Sequence, residues 1–79
     1  MTPEAALAVA RQGGTIRYFY LDGGVAVHDK NGPVGSLPVA DFLAMRQNGE
    51  IEFLENKDHG YPWYANSAKS TLYVAKTPA

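Results

Sequence analysis

Seventy-nine residues make one small domain with no room for a second core, and only about 60–65% of the unfolded surface is buried at this length. The chain has no cysteine and two histidines, which excludes disulfides and cysteine zinc sites and leaves too few imidazoles for a metal cage. Seven bases against eight acids, a net charge of −1, argue against ordinary nucleic-acid binding, which needs a basic face to neutralise phosphates.

Met1-Thr2-Pro3-Glu4 carries no basic n-region or long apolar run, so no signal peptide is expected. No stretch approaches the roughly 20 apolar residues of a membrane span. The expectation is a soluble, cytoplasmic protein with no membrane contact and no cofactor.

Thr2-Pro3-Glu4 instead reads as a helix start: threonine can cap, proline suits the first helical position, and an early glutamate suits the dipole. The helix runs through Ala5–Gln12 and stops at Gly13-Gly14, with Ala6, Leu7, Val9 and Ala10 forming a narrow apolar stripe of small side chains that allows close approach to a sheet. Thr15–Leu21 reads as a strand with alternate faces Ile16, Tyr18, Tyr20 and Arg17, Phe19, Leu21; neither face is polar, which predicts a central position. Asp22-Gly23-Gly24 is a turn and Val25–His28 a returning strand. Asp29-Lys30-Asn31-Gly32 is a second turn, followed by a short strand Val34–Ser36 that Pro33 assigns to an edge.

Pro38–Asn48 reads as a second helix ending at Gly49, with Val39, Phe42, Leu43 and Arg46 on one face. Glu50–Glu55 is a strand whose alternation sets Ile51 and Phe53 on one face and Glu50, Glu52 and Leu54 on the other. Asn56–Gly60 reads as a loop, Tyr61–Ala65 as a return strand, Asn66–Ser70 as a polar connection, and Thr71–Ala75 as the last strand with Leu72 and Val74 opposite Tyr73. Helices alternating with hairpin-linked strands predict a single α+β domain over residues 1–79. It is a two-layer sandwich with a mostly antiparallel sheet of about five strands and two helices on one face.

No nucleophile elbow, phosphate loop, dinucleotide fingerprint or zinc-protease motif occurs. Gly13-Gly14 follows a helix and precedes a strand, the reverse of a phosphate-cradling order. His28 and Asp29 point to opposite faces as strand neighbours, and His59 lies beside Asp58 in a turn; both histidines read as surface residues. Glu50 and Glu52 share a strand face, as a glycosidase pair could, but a domain this small has little room for a sugar cleft. These readings leave no enzyme.

Two features remain. Residues 41–60 hold Asp41, Glu50, Glu52, Glu55 and Asp58 against Arg46 and Lys57, an acidic patch centred near residues 50–58. Tyr61-Pro62-Trp63-Tyr64 then gathers three of the nine aromatics. Trp63 can pack under the second helix while the tyrosines cover a sheet edge, or the group can face a partner, where Tyr and Trp bring large contact area and a polar handle. A groove for proline-rich peptides and a base-stacking platform fit less well, because the pattern around the aromatics and the neutral charge speak against them.

From Leu37-Pro38-Val39-Ala40-Asp41-Phe42-Leu43 through Trp63-Tyr64, the chain resembles the small phage-encoded anti-CRISPR proteins directed at type I-C systems. The resemblance implies a non-enzymatic inhibitor that binds a subunit of the CRISPR surveillance complex (Cascade) on a basic DNA-handling surface and prevents target-DNA binding. It would make no direct nucleic-acid contact and act in the cytoplasm of an infected or lysogenic bacterial host. Glu50, Glu52, Glu55 and Asp58 would then supply charge complementarity, and Tyr61, Trp63 and Tyr64 the anchoring. A net charge of −1 does not suit mimicry of DNA over the whole surface. The competing reading is a structural or regulatory accessory domain that binds a host protein or forms a homodimer through its aromatic face.

Overall fold

A computed structural model describes residues 1–21, 23–58 and 69–76, with Asp58 described in its backbone alone. Two helices and five strands follow in the order α1 (Pro3–Arg11), β1 (Thr15–Phe19), β2 (Gly24–Asp29), β3 (Gly32–Ser36), α2 (Val39–Gln47), β4 (Ile51–Asp58) and β5 (Lys69–Ala75). The strands form one sheet in the order β3-β2-β1-β5-β4, and every adjacent pair is antiparallel. The architecture is α+β, as the sequence predicts. β1 is the middle strand, and β3, with Pro33, is an edge.

The local chemistry of α1 accounts for where it starts. Thr2 Oγ1 accepts a hydrogen bond from the Ala5 N–H at 3.1 Å, Pro3 occupies the first turn where no N–H is needed, and Glu4 and Arg11 match the two ends of the helix dipole. Thr2→Ala should therefore lower stability by about 1 kcal/mol, read as a shift in the urea midpoint; an unchanged midpoint would remove the cap from the account. α2 has no such device. Pro38 stands at its N-cap position without a side-chain hydrogen bond, so packing rather than capping holds this helix.

One face of the sheet carries the core. Ile16 lies between Val27 on β2 and Tyr73 on β5, and these residues cluster with Ala6, Leu7 and Ala10 of α1 and Phe42 and Met45 of α2. Phe42 is fully buried, with its ring centroid 4.9 Å from that of Tyr18 and 5.0 Å, edge-on, from that of Tyr73. Such aromatic pairs add about 0.5–1.5 kcal/mol each beyond area burial. Arg46 reaches over the same group: its guanidinium stands 5.7 Å from the Phe42 ring centre, and Nη1 donates to Tyr73 Oη at 3.5 Å. The buried stripe of α2 is thus Phe42 and Met45, with Val39 partly buried. The expected partner Leu43 is 39% exposed instead. Sequence periodicity admits both stripes; the sheet chooses the one centred on Phe42.

The turn between β2 and β3 keeps its expected chemistry. Asp29 Oδ1 accepts from the Asn31 N–H at 2.7 Å, and Gly32 closes that turn at φ 130°. The second half of the sheet departs from expectation. β4 runs on to Asp58, through the segment read as a loop, and β5 begins at Lys69, inside the segment read as a connection. Asn56, Lys57 and Asp58 pair with Thr71, Ser70 and Lys69, so the ladder overrides weak local strand propensity. β1 conversely ends at Phe19, two residues short. Asp22, His59 and the expected strand Tyr61–Ala65 lie outside the described residues.

Candidate edge-strand docking site

β4 is the sheet edge opposite β3, and among the described residues no strand pairs with its outer side. A strict alternation along this strand would put Glu52 and Glu55 on opposite faces. The register breaks between Phe53 and Glu55: Phe53 pairs with Tyr73, Glu55 with Leu72, and Leu54 is the extra residue. This bulge re-phases the strand. Glu52, paired with Val74, and Glu55, paired with Leu72, therefore come to the same face, the one away from the helices. Lys57, paired with Ser70, joins them. The expected grouping of Glu52 with Leu54 is replaced by Glu52 with Glu55, because one inserted residue shifts a period of two by half a cycle.

Burial along the strand is equally uneven. Ile51 is buried in the core, but Phe53, expected to share its environment, is 57% exposed. Its ring meets Tyr73 edge-on at 6.3 Å, on the far side of Tyr73's other aromatic contact, Phe42 of α2. Leu54 is 49% exposed beside it. The outer strand thus presents two large apolar side chains between two exposed carboxylates. Edge strands commonly protect themselves with charges and bulges, and β4 has both. Those devices do not explain an exposed Phe-Leu pair.

Glu50 stands apart from this group. It precedes β4 and is half-buried; its N–H donates to the Met45 carbonyl and its own carbonyl accepts from the Lys76 N–H, so its backbone ties the end of α2 to the end of β5. Asp58 ends β4 opposite Lys69. Tyr61, Trp63 and Tyr64 lie outside the described residues. The sequence reading missed Phe53 and Leu54. The available signal was two large apolar residues between acids in a strand whose helix-facing alternation already had Ile51.

A cleft opens at one end of the same strand, where the last turn of α1 meets β4 and β5. It is about 470 Å3 in volume and is lined by Ala10, Arg11, Gly13, Gly14, Glu52, Val74 and Ala75. Among the described residues, no group of three or more His, Cys, Asp or Glu side chains is placed to hold a metal ion, and no helix is long and apolar enough to cross a membrane. No family model matches the chain, and no curated protein and no solved structure matches it.

Proposed function

We propose that this chain is a non-enzymatic inhibitory binding protein that docks through the β4 edge onto a basic, partly apolar surface of a partner protein. The observation that carries the reading is the exposed Phe53-Leu54 pair set between the exposed carboxylates of Glu52 and Glu55 on an unpaired edge strand. Exposed aromatic and aliphatic side chains supply the desolvated anchor of an interface, and surrounding charge supplies steering and specificity. An acidic rim selects a basic partner. The resemblance to type I-C anti-CRISPR proteins names one: a DNA-handling subunit of the Cascade surveillance complex, met in the cytoplasm of the bacterial host. Occupying that surface would block target-DNA binding without contact to nucleic acid.

The test is co-elution with a purified type I-C surveillance complex, followed by a target-DNA binding assay on the same fractions. Co-elution with lost DNA binding is the expected result; absence of co-elution overturns the partner assignment. The two parts of the surface should separate kinetically. Glu52→Lys with Glu55→Lys should slow association about tenfold at low salt, an effect that fades as ionic strength rises. Phe53→Ala should mainly speed dissociation, again by about tenfold. Equal rates for all three proteins would remove β4 from the interface.

The same exposed pair favours one other reading, a homodimer formed through this edge. Sedimentation decides it: a dimer that Leu54→Lys converts to a monomer would put the apolar pair to use in self-association.

A further inference from the structure

The outer rim of β4 has a backbone chemistry set by how the strand is attached on its inner side. The Lys76 N–H donates to the Glu50 carbonyl at 3.0 Å, so that carbonyl faces β5. Backbone groups alternate along an antiparallel strand, which turns those of Glu52 toward β5 as well and those of Ile51 and Phe53 outward. On β5, Leu72 lies two residues from Val74 and faces β4 as Val74 does. Its partner Glu55 is therefore turned inward, and Asn56 outward. Ile51, Phe53 and Asn56 thus offer N–H and C=O groups at the rim, and among the described residues no strand takes them.

The side chains of β4 select what a further strand must carry. On the face toward the helices the exposed Phe53 ring asks for an apolar neighbour. On the opposite face stand the exposed carboxylates of Glu52 and Glu55, and neither makes an ion pair among the described residues. Their partners on β5, Val74 and Leu72, are uncharged. Arg17, one strand further in, is turned to Thr15, whose Oγ1 accepts from its Nε at 3.5 Å. Arg11 is carried by α1, on the other side of the sheet. Lys57, beyond Glu55, is the one base β4 adds to this face, so acid outweighs base there. A second copy of the chain does not meet these terms. Antiparallel pairing of two β4 strands would bring both carboxylates of each copy to one face, and like charges opposed across strands destabilise the pair. The other edge, β3, is short and holds Pro33, which has no N–H to donate.

We propose that β4 takes up an extended segment of the partner protein as an additional strand, with an apolar residue beside Phe53 and basic residues opposite Glu52 and Glu55. The inference rests on the docking reading above and deepens it: main-chain bonds to Ile51, Phe53 and Asn56 hold the segment, and the alternation of its side chains selects it. The bulge suits that alternation. On the inner side, three consecutive residues of β5, Val74, Tyr73 and Leu72, already match Glu52, Phe53 and Glu55. A basic–apolar–basic run meets the same three positions from outside.

Strand addition can be tested without the partner. Amide shifts of the 15N-labelled chain would be followed during titration with an acetylated, amidated peptide Thr-Val-Lys-Val-Lys-Thr. The expected result is saturable movement of the Ile51, Phe53 and Asn56 amides, with a Kd on the order of 1 mM, and none in β3. The same peptide with both lysines replaced by glutamate, or reordered to Thr-Val-Val-Lys-Lys-Thr, should bind at least about fivefold more weakly. The backbone gives the sharper test. N-methylation of the valine between the lysines removes an N–H directed at β4 and should weaken binding at least about tenfold. N-methylation of either lysine removes an N–H directed away and should change it less than about twofold. Glu52→Lys with Glu55→Lys should weaken the lysine peptide at least about fivefold, with unchanged spectral dispersion showing a folded protein. No saturable movement, equal loss from the two kinds of N-methylation, or a β4-paired dimer in sedimentation overturns the proposal. Peptide binding without co-elution with the surveillance complex would support strand addition while overturning that partner. Co-elution that Phe53→Ala weakens, without peptide binding, would keep the docking reading and overturn strand addition.

Discussion

Replacing Phe42 by alanine is expected to lower folding stability by about 3–5 kcal/mol. A domain of this length has only about 5 kcal/mol or a little more in total, so the variant should keep roughly 0–2 kcal/mol and be marginally stable at 25 °C. The reason is position as much as size. Phe42 is fully buried, and its ring is packed against Tyr18 of β1 and Tyr73 of β5, two strands that α2 must cross after leaving the β3 edge and before starting β4 at the other. α2 has no side-chain cap and buries only one other large side chain fully, Met45. Removing the ring leaves a cavity in place of the largest buried side chain of this helix. Arg46, which lies over the ring, loses its platform as well. Phe42→Leu refills most of the volume and should cost roughly 1–2 kcal/mol, keeping the fold measurable. Urea unfolding followed by far-UV circular dichroism reads both. A loss below about 1 kcal/mol in Phe42→Ala would mean that α2 is held by something other than this contact.

Gly14→Ala should cost about 2 kcal/mol or more, although the added group is a single methyl. A Cβ at Gly14 would stand 2.5 Å from the His28 carbonyl oxygen, 2.7 Å from Val9 Cγ1 and 2.8 Å from the Val9 carbonyl oxygen. Two of the three are backbone atoms, one in β2 and one in α1, so neither can swing aside. The methyl would push the end of α1 away from the sheet. Gly13 provides the control. It has φ 97° and open space where a Cβ would be, so Gly13→Ala carries only the backbone penalty of about 1 kcal/mol. Thermal melts should therefore rank wild type, then Gly13→Ala, then Gly14→Ala, with the last roughly 8–16 °C below wild type. The reverse order would show that the α1–β1 junction can relax around a side chain at position 14.

Much of the fold was legible because its signals are local. Thr2, Pro3 and Glu4 cap α1 through atoms within one turn; Asp29 and Gly32 close a turn within four residues; neither face of Thr15–Leu21 is polar, which suits the central strand that β1 is. Pro33 cannot donate to a second neighbour, and its strand is an edge. These residues carry their geometry with them, so composition and spacing are enough to place two helices, the antiparallel order of neighbours and the α+β class.

The docking surface was only half legible. The acids were visible, but their arrangement depends on a bulge that no residue type between Phe53 and Glu55 announces. It arises from the match between β4 and β5, a property of two strands separated by ten residues, and it turns Glu55 to join Glu52. The exposure of Phe53 was hidden for a similar reason: its alternation with Ile51 is that of a core residue, and only the packing of distant segments leaves it exposed. Gly14 reads in sequence as half of a helix stop, while its actual constraint is a carbonyl from another strand. Local chemistry thus determined the class of the fold and where α1 begins. Register and the path of α2 over the sheet, which depend on contacts between distant segments, decided which side chains face a partner.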